Sequence, residues 1–321
     1  MARGSPASPS RAPAGRATTA PGPAQVRLDT IRSRDNQWLK QFRAALRGSG
    51  PQPGQPIGVE GPKLVEEGLR AGLEIEALLA SETGEGELER ILGAAGQTDG
   101  RIGHPPILRT SDQLFASVAG TETPQGLAAL FRPREWNFED VLRGTASREG
   151  AFRGHAPLVV VLAGVQDPGN VGTILRSAEA FGGTGAIAAR GTADPWSPKA
   201  VRASAGSALR LPLLRGISAP VVMAQLRIAG VRIYAATSGL GPRDQAEHHR
   251  PNAQATAELR EPVAIFIGSE GRGLAPDIQS TADGLISVPI SDTVESLNAA
   301  VAASVLLYEA ARQRRGEEST E

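Results

Sequence analysis

The chain contains no cysteine and only four histidines, His104, His155, His248 and His249. Disulfides and thiolate metal sites are thereby excluded. The histidines show no ligand spacing, so no metal is expected. Long apolar runs are also missing: none approaches the roughly 18 residues that a membrane helix needs. The first residues are Arg, Ser, Pro and Ala without an apolar signal core, so a cytoplasmic chain with no membrane partner is expected. Net charge is absent too, 34 Lys and Arg balancing 34 Asp and Glu. That balance argues against a strong overall field but leaves room for a local basic patch on phosphates.

A length of 321 residues suggests two domains. Residues 1–28 carry Arg3, Arg11, Arg16 and Arg27 with no acid, among Pro, Ala, Gly and Ser. Such a composition buries too little apolar surface to fold alone and reads as a disordered basic tail. Residues 29–135 form a first unit. It opens with the helical stretch SRDNQWLKQFRAAL, whose Trp38, Phe42 and Leu46 recur every four residues. Lys40, Arg43 and Arg47 fill much of the remainder, a face that is either solvated or in contact with RNA phosphates. Strands at 57–60, 75–80, 106–109 and 126–131, with a helix at 61–71, give a small α/β sandwich. Residues 136–156 have little periodicity and read as a linker.

The third segment, 157–321, alternates strands (158–164, 185–189, 231–237, 263–268, 285–288) with helices, the pattern of a mostly parallel sheet covered on both sides. A last helix is expected at 296–314. Three loops follow strand ends. In VVVLAGVQDPGNVGTILRSAEAFG, an apolar strand meets a helix through a turn bearing Asn170 and leading to Arg176. Asp-Pro-Gly-Asn serves turn geometry at least as readily as chemistry, but ligands in open α/β sheets lie at these strand ends. IFIGSEGRGL places Gly268, Glu270, Gly271 and Gly273 after a strand, where glycine admits positive φ and close approach of a ligand. ISVPISDTVESLNAAVA brings Ser296 and Asn298 to the last helix, Ser296 serving either as a helix cap or in the pocket. Other motifs fail: Gly183-Thr-Gly185 follows a helix and enters a strand, the reverse of a dinucleotide fingerprint, and there is neither a P-loop nor a nucleophile elbow.

DPGNVGTILRSAEAFG, FIGSEGRGL and ISVPISDTVESLNAAVAASVLLYEA resemble, in order and spacing, the three motifs of the SpoU (TrmH-like) RNA 2′-O-ribose methyltransferases of the SPOUT class. SPKAVRASAGSALRLPL is similar to the family as well. The likeness covers residues 157–315. Within 31–131, SRDNQWLK, GVEGPKLVEEGLRAG and TETPQGLAAL resemble the L30e-like substrate-binding domain of ribosomal RNA members.

The resemblance implies a parallel-sheet domain closed by a trefoil knot, S-adenosylmethionine held at Gly268, Val288 and Leu297, and a homodimer with the active site near the subunit interface. It also implies functional roles for Asn170, Arg176, Glu270, Ser296 and Asn298. The expected reaction is ribose 2′-O-methylation of RNA, most often 23S ribosomal RNA; transfer RNA, or a silent RNA-binding assembly role, are the alternatives. Two positions depart from the family pattern. Ile290 stands where Met is common and Asp292 where Gly is common, which bears on donor affinity.

Overall fold

The computed structural model describes Met1 and residues 28–96, 105–145, 156–238, 258–291 and 293–315. Residues 2–27 of the expected tail, all four histidines and Asp292 lie outside the described residues.

Alternation within short apolar strands builds the first unit. Strands β1 (Leu28–Thr30), β2 (Ile57–Glu60), β3 (Ile75–Ser81), β4 (Ile107–Thr110) and β5 (Leu127–Phe131) form one sheet in the order β1-β4-β3-β5-β2. β1, β4 and β3 are parallel, while β5 runs antiparallel to both β3 and β2. Every residue of β5 is buried. Its Leu127, Ala129 and Phe131 enter one apolar cluster and Ala128 and Leu130 another, as the two-residue period requires. Helix α1 (Gln37–Arg47), capped by the Asn36 side chain on the Trp38 amide, covers the second cluster with Leu39, Phe42 and Leu46. Trp38 is only partly buried, so Leu39 holds the central place expected of it. Helices α2 (Pro62–Arg70), α3 (Glu85–Gly96) and α4 (Asp112–Ala116) complete the unit.

The expected basic face of α1 turns out to be partly engaged. Arg47 donates from Nε to the Ala119 carbonyl at 2.8 Å and from Nη2 to that of Ala116 at 3.2 Å. Arg43 reaches the Ser117 carbonyl at 3.4 Å. These cations meet the orphan carbonyls at the end of α4, where positive charge is favoured. Within the stretch expected to be a linker lies helix α5 (Phe138–Arg143), opened by an Asn137–Asp140 capping box. Its Val141 is buried against the second sheet.

That second sheet comprises β6 (Leu158–Ala163), β7 (Gly185–Ala188), β8 (Leu213–Arg215), β9 (Arg232–Ala236), β10 (Val263–Gly268) and β11 (Gly284–Ile286). Its order is β11-β9-β10-β6-β7-β8, and every pairing is parallel. Helices α6 (Pro168–Ala180), α7 (Pro198–Ala203), α8 (Ser207–Arg210), α9 (Ala219–Ile228), α10 (Pro276–Thr281) and α11 (Ala299–Arg315) accompany it. β6 and β10 are the central pair, with Val160 and Ile265 in one cluster and Val161 and Phe266 in the other. The chain leaves β6 toward β7 on one side and returns to β10 on the other, so a topological switch point opens at the carboxyl ends of β6 and β10.

The two units share one apolar cluster, running from Ile57 and Phe131 through Trp196 and Ala200 to Val160. An ion triad reinforces it. Arg210 donates to Glu179 on α6 at 2.8 and 2.7 Å and also reaches Glu67 on α2. Burial pushes the Glu179 carboxyl up, but the hydrogen bonds from Arg210 and Ser207 together with the Arg210 charge outweigh it and hold the group below its ordinary value.

Close helix packing at Gly172 fixes α6. A Cβ there would lie 2.3 Å from the Ala200 carbonyl oxygen and 2.7 Å from the Ala203 Cβ on α7. Gly172→Ala gains about 1 kcal/mol of helix propensity but overpacks a backbone contact, a change that costs roughly 1–3 kcal/mol. Urea denaturation is expected to show net destabilisation, and a more stable variant would refute the contact.

Candidate active site

At the switch point the loop after β6 becomes the first turn of α6. Asp167 is its N-cap, accepting from the Gly169 and Asn170 amides, and Pro168 occupies the first helical position, where no amide hydrogen is needed. Lys199 on α7 donates to Asp167 at 3.0 Å. That bond, followed by the Gly169 amide, lowers the Asp167 carboxyl from its ordinary value.

Asn170 then joins all three loops. Asn298 accepts at Oδ1 from the Ala300 amide at 2.9 Å and the Val301 amide at 3.3 Å, so its Nδ2 is left to donate to Asn170 Oδ1 at 3.2 Å. Asn170 in turn donates from Nδ2 to Glu270 Oε1 at 2.8 Å. Glu270 also accepts from the backbone amides of Gln166 at 3.2 Å and Asp167 at 3.4 Å. The helix cap thus dictates the orientation of both amides. Burial pushes the Glu270 carboxyl up, but Asn170 and the backbone amides of Glu270, Gln166 and Asp167 outweigh it and hold it low.

Beside this network lies a cleft of about 370 Å³, bounded by Gly268, Glu270, Val288, Ser296 and Leu297, with Ile267, Ile290 and Leu306 adding apolar wall. The three residues expected to hold a donor therefore border one cavity. Its volume lies within the roughly 300–1,000 Å³ of small-molecule sites. Asn170 and Asn298 reach it through Glu270 at its rim.

Of the two readings open for Ser296 the cap falls away, because α11 begins at Ala299 and Asn298 supplies the cap, while Ser296 borders the cleft. Gly268 is not at positive φ; Gly273 is, at 65°. A Cβ on Gly268 would sit 2.2 Å from the Gly273 carbonyl carbon and 2.3 Å from the Leu274 nitrogen. Glycine is therefore required for its own loop to fold back through the Ser269–Gly273 pairing, and bulk there would displace the loop before it met a ligand. Gly271, in contrast, faces open space.

Arg176 stands apart. It lies roughly 9 Å along α6 from Asn170, at 1.5 Å per residue. It is exposed, does not line the cleft, and has no partner among the described residues. The contributions of Gln166 and Asp167 to Glu270 were not anticipated, because backbone amides leave no trace in residue type. The Asp167 cap was legible as Asp followed by Pro at the helix start.

Residues 157–308 match the SpoU rRNA Methylase family, and residues 55–129 the MRM3-like substrate binding domain. A protein of Mycobacterium ulcerans named as an uncharacterized tRNA/rRNA methyltransferase is 33% identical over 260 residues, 80% of this chain and 77% of its own. The AdoMet-bound rRNA methyltransferase from Sinorhizobium meliloti aligns with a TM-score of 0.70 and 26% identity, over 89% of this chain and 98% of that one. An RNA 2′-O ribose methyltransferase structure gives a TM-score of 0.65 at 29% identity, over 89% of this chain and 99% of that one. The chain belongs to the SpoU methylase family, with an amino-terminal substrate-binding domain of the MRM3-like type.

Folding depresses the Glu270 pKa from 4.5, so its bonds contribute stability above that pH, and the contribution is lost as pH falls through the lowered value. Asn170→Asp replaces the donor with a second carboxylate. In a carboxyl NMR titration Glu270 is expected to move upward in this variant; an unchanged midpoint would show that the network does not control Glu270.

Proposed function

We propose that this protein transfers a methyl group from S-adenosylmethionine to a ribose 2′-hydroxyl of RNA, with ribosomal RNA as the substrate and the cytoplasm as its location. The observation that carries the reading is the Asn298–Asn170–Glu270 chain, which locks three loops around one cleft. The cleft suits the donor: Ile267, Val288, Leu297 and Leu306 offer apolar wall to a purine, and the open space at Gly271 admits close backbone approach. When bound, S-adenosylmethionine supplies an electrophilic methyl group. The chain's own task is then to place the hydroxyl in line and stabilise the alkoxide as its proton leaves.

Arg176 is the cation for that task. Arginine is a permanently charged donor and a poor base, so Arg176 acts by positioning a phosphate and by electrostatics. Its exposure on α6 supports a homodimer. Ser177 next to it bonds Ser304 on α11 at 2.7 Å, and α11 presents Val301, Val305 and Tyr308 at 50%, 41% and 53% exposure. A second copy covering this apolar stripe would bring Arg176 to the subunit seam. The position of β10 between β6 and β9, out of chain order, supports the knotted closure. The separate amino-terminal domain favours ribosomal over transfer RNA.

Arg176→Lys keeps the charge but loses the planar fork. Single-turnover methylation is expected to fall by about 10²-fold or more, equivalent to roughly 2.7 kcal/mol, with donor affinity little changed. A rate within about threefold of the unaltered protein, roughly 0.7 kcal/mol, would remove Arg176 from the mechanism.

A further inference from the structure

A second and larger cavity, about 640 Å³, lies between the two units. The end of α1 and the turn around Gly120 form one wall; Gln166, Pro168 and the start of α7 form the other. It therefore opens beside the first turn of α6, where Asn170 stands. Three cations line it, Arg47, Lys199 and Arg202, against the acids Glu122 and Asp194. Asp194 is already bonded to Arg215. Arg202 is half-buried and has no partner among the described residues. Its Nη1 faces the opposite wall, 3.5 Å from where a Cβ on Gly120 would be.

The walls are braced before any ligand arrives. Glu60, 7% exposed, accepts from the Gly120 amide at 2.7 Å and from the Thr121 hydroxyl, fixing the turn. Arg47 holds the Ala119 carbonyl. The Glu67–Arg210–Glu179 triad holds the two units together. None of the described lining residues is aromatic. Trp196, the nearest candidate in sequence, is committed elsewhere: its indole donates to the Ala208 carbonyl at 3.1 Å and Arg215 stacks on its ring at 4.6 Å.

We propose that this interdomain cleft is a track for a single-stranded segment of the substrate RNA, with Lys199 and Arg202 binding consecutive backbone phosphates as the strand passes to the first turn of α6. The inference rests on the RNA-modifying reading above. A braced cleft of this volume admits a splayed strand but not a duplex. With cations and no stacking platform, it grips the backbone and reads little sequence. Lys199 exchanges its exposed contact with Asp167 for a phosphate, and Arg202 gains a phosphate partner.

The test is the salt dependence of binding of an unstructured RNA oligonucleotide by the full-length protein, followed by fluorescence anisotropy, with the same sequence as a duplex for comparison. Each single-strand phosphate contact contributes about 0.7 to the log–log slope, so Lys199→Gln combined with Arg202→Gln is expected to flatten it by about 1.4. Arg143→Gln, which removes an exposed cation on α5, should leave the slope unchanged. Glu122→Lys, which adds a cation to the cleft, should steepen the slope by about 0.7 on the same scale, a gain that misfolding cannot imitate. A slope indifferent to these cleft changes, or duplex binding as tight as single-strand binding, would overturn the track. Calorimetry with S-adenosylmethionine separates the two readings: unaltered donor binding with an indifferent slope refutes the cleft alone, whereas an unaltered protein that binds neither donor nor RNA refutes the proposed function with it.

Discussion

The arrangement depends on the side-chain amide of Asn170. It accepts on one side and donates on the other, and both partners are constrained before it. Asn298 must present its oxygen to the start of α11, so it offers nitrogen to Asn170. Glu270 is held by backbone amides of the loop after β6 and needs a donor from the side. The amide satisfies both demands in one orientation. An aspartate would repel Glu270, and an apolar residue would leave it with backbone partners alone. Three loops distant in sequence are thereby set in register at the switch point between β6 and β10.

Much of the catalytic sheet was legible because parallel strands buried on both faces are near-continuous apolar runs. Val159, Val160 and Val161 in β6, and Val263 to Ile267 in β10, leave little else for the chain to form. β1 and β8, of three residues each, are too short to show a period. Helix α5 was hidden by its charges, although Asn137 and Asp140 have the spacing of a capping box. Motif residues were found by pattern, but their tasks were not. Ser and Asn cap helices about equally well, so choosing Asn298 over Ser296 required the start of α11. Gly268 had the expected residue type for a different reason, namely the backbone of its own loop.

The same logic explains why the basic helix presents fewer free cations than its sequence suggests. Arg43 and Arg47 are drawn to the carbonyls that end α4, and a periodicity argument cannot see that contact. Two cations without a partner among the described residues stand elsewhere: Arg202 faces the gap between the units and Arg176 is exposed on α6. The two are linked through α6 and α7, which pack closely at Gly172, and α6 is tied to the substrate-binding unit by Arg210. A change at that interface would therefore be felt at Asn170 without touching it.

Ribose methylation at this site is tested directly by the chemistry of RNA hydrolysis. Methylation at the 2′ position removes the hydroxyl that attacks the neighbouring phosphate in alkali. RNA from cells lacking the protein should be incubated with the full chain and methyl-labelled S-adenosylmethionine, then hydrolysed in alkali. Ribose methylation predicts the label in alkali-resistant dinucleotides. Label released in mononucleotides would mean that a base had been methylated and would contradict it.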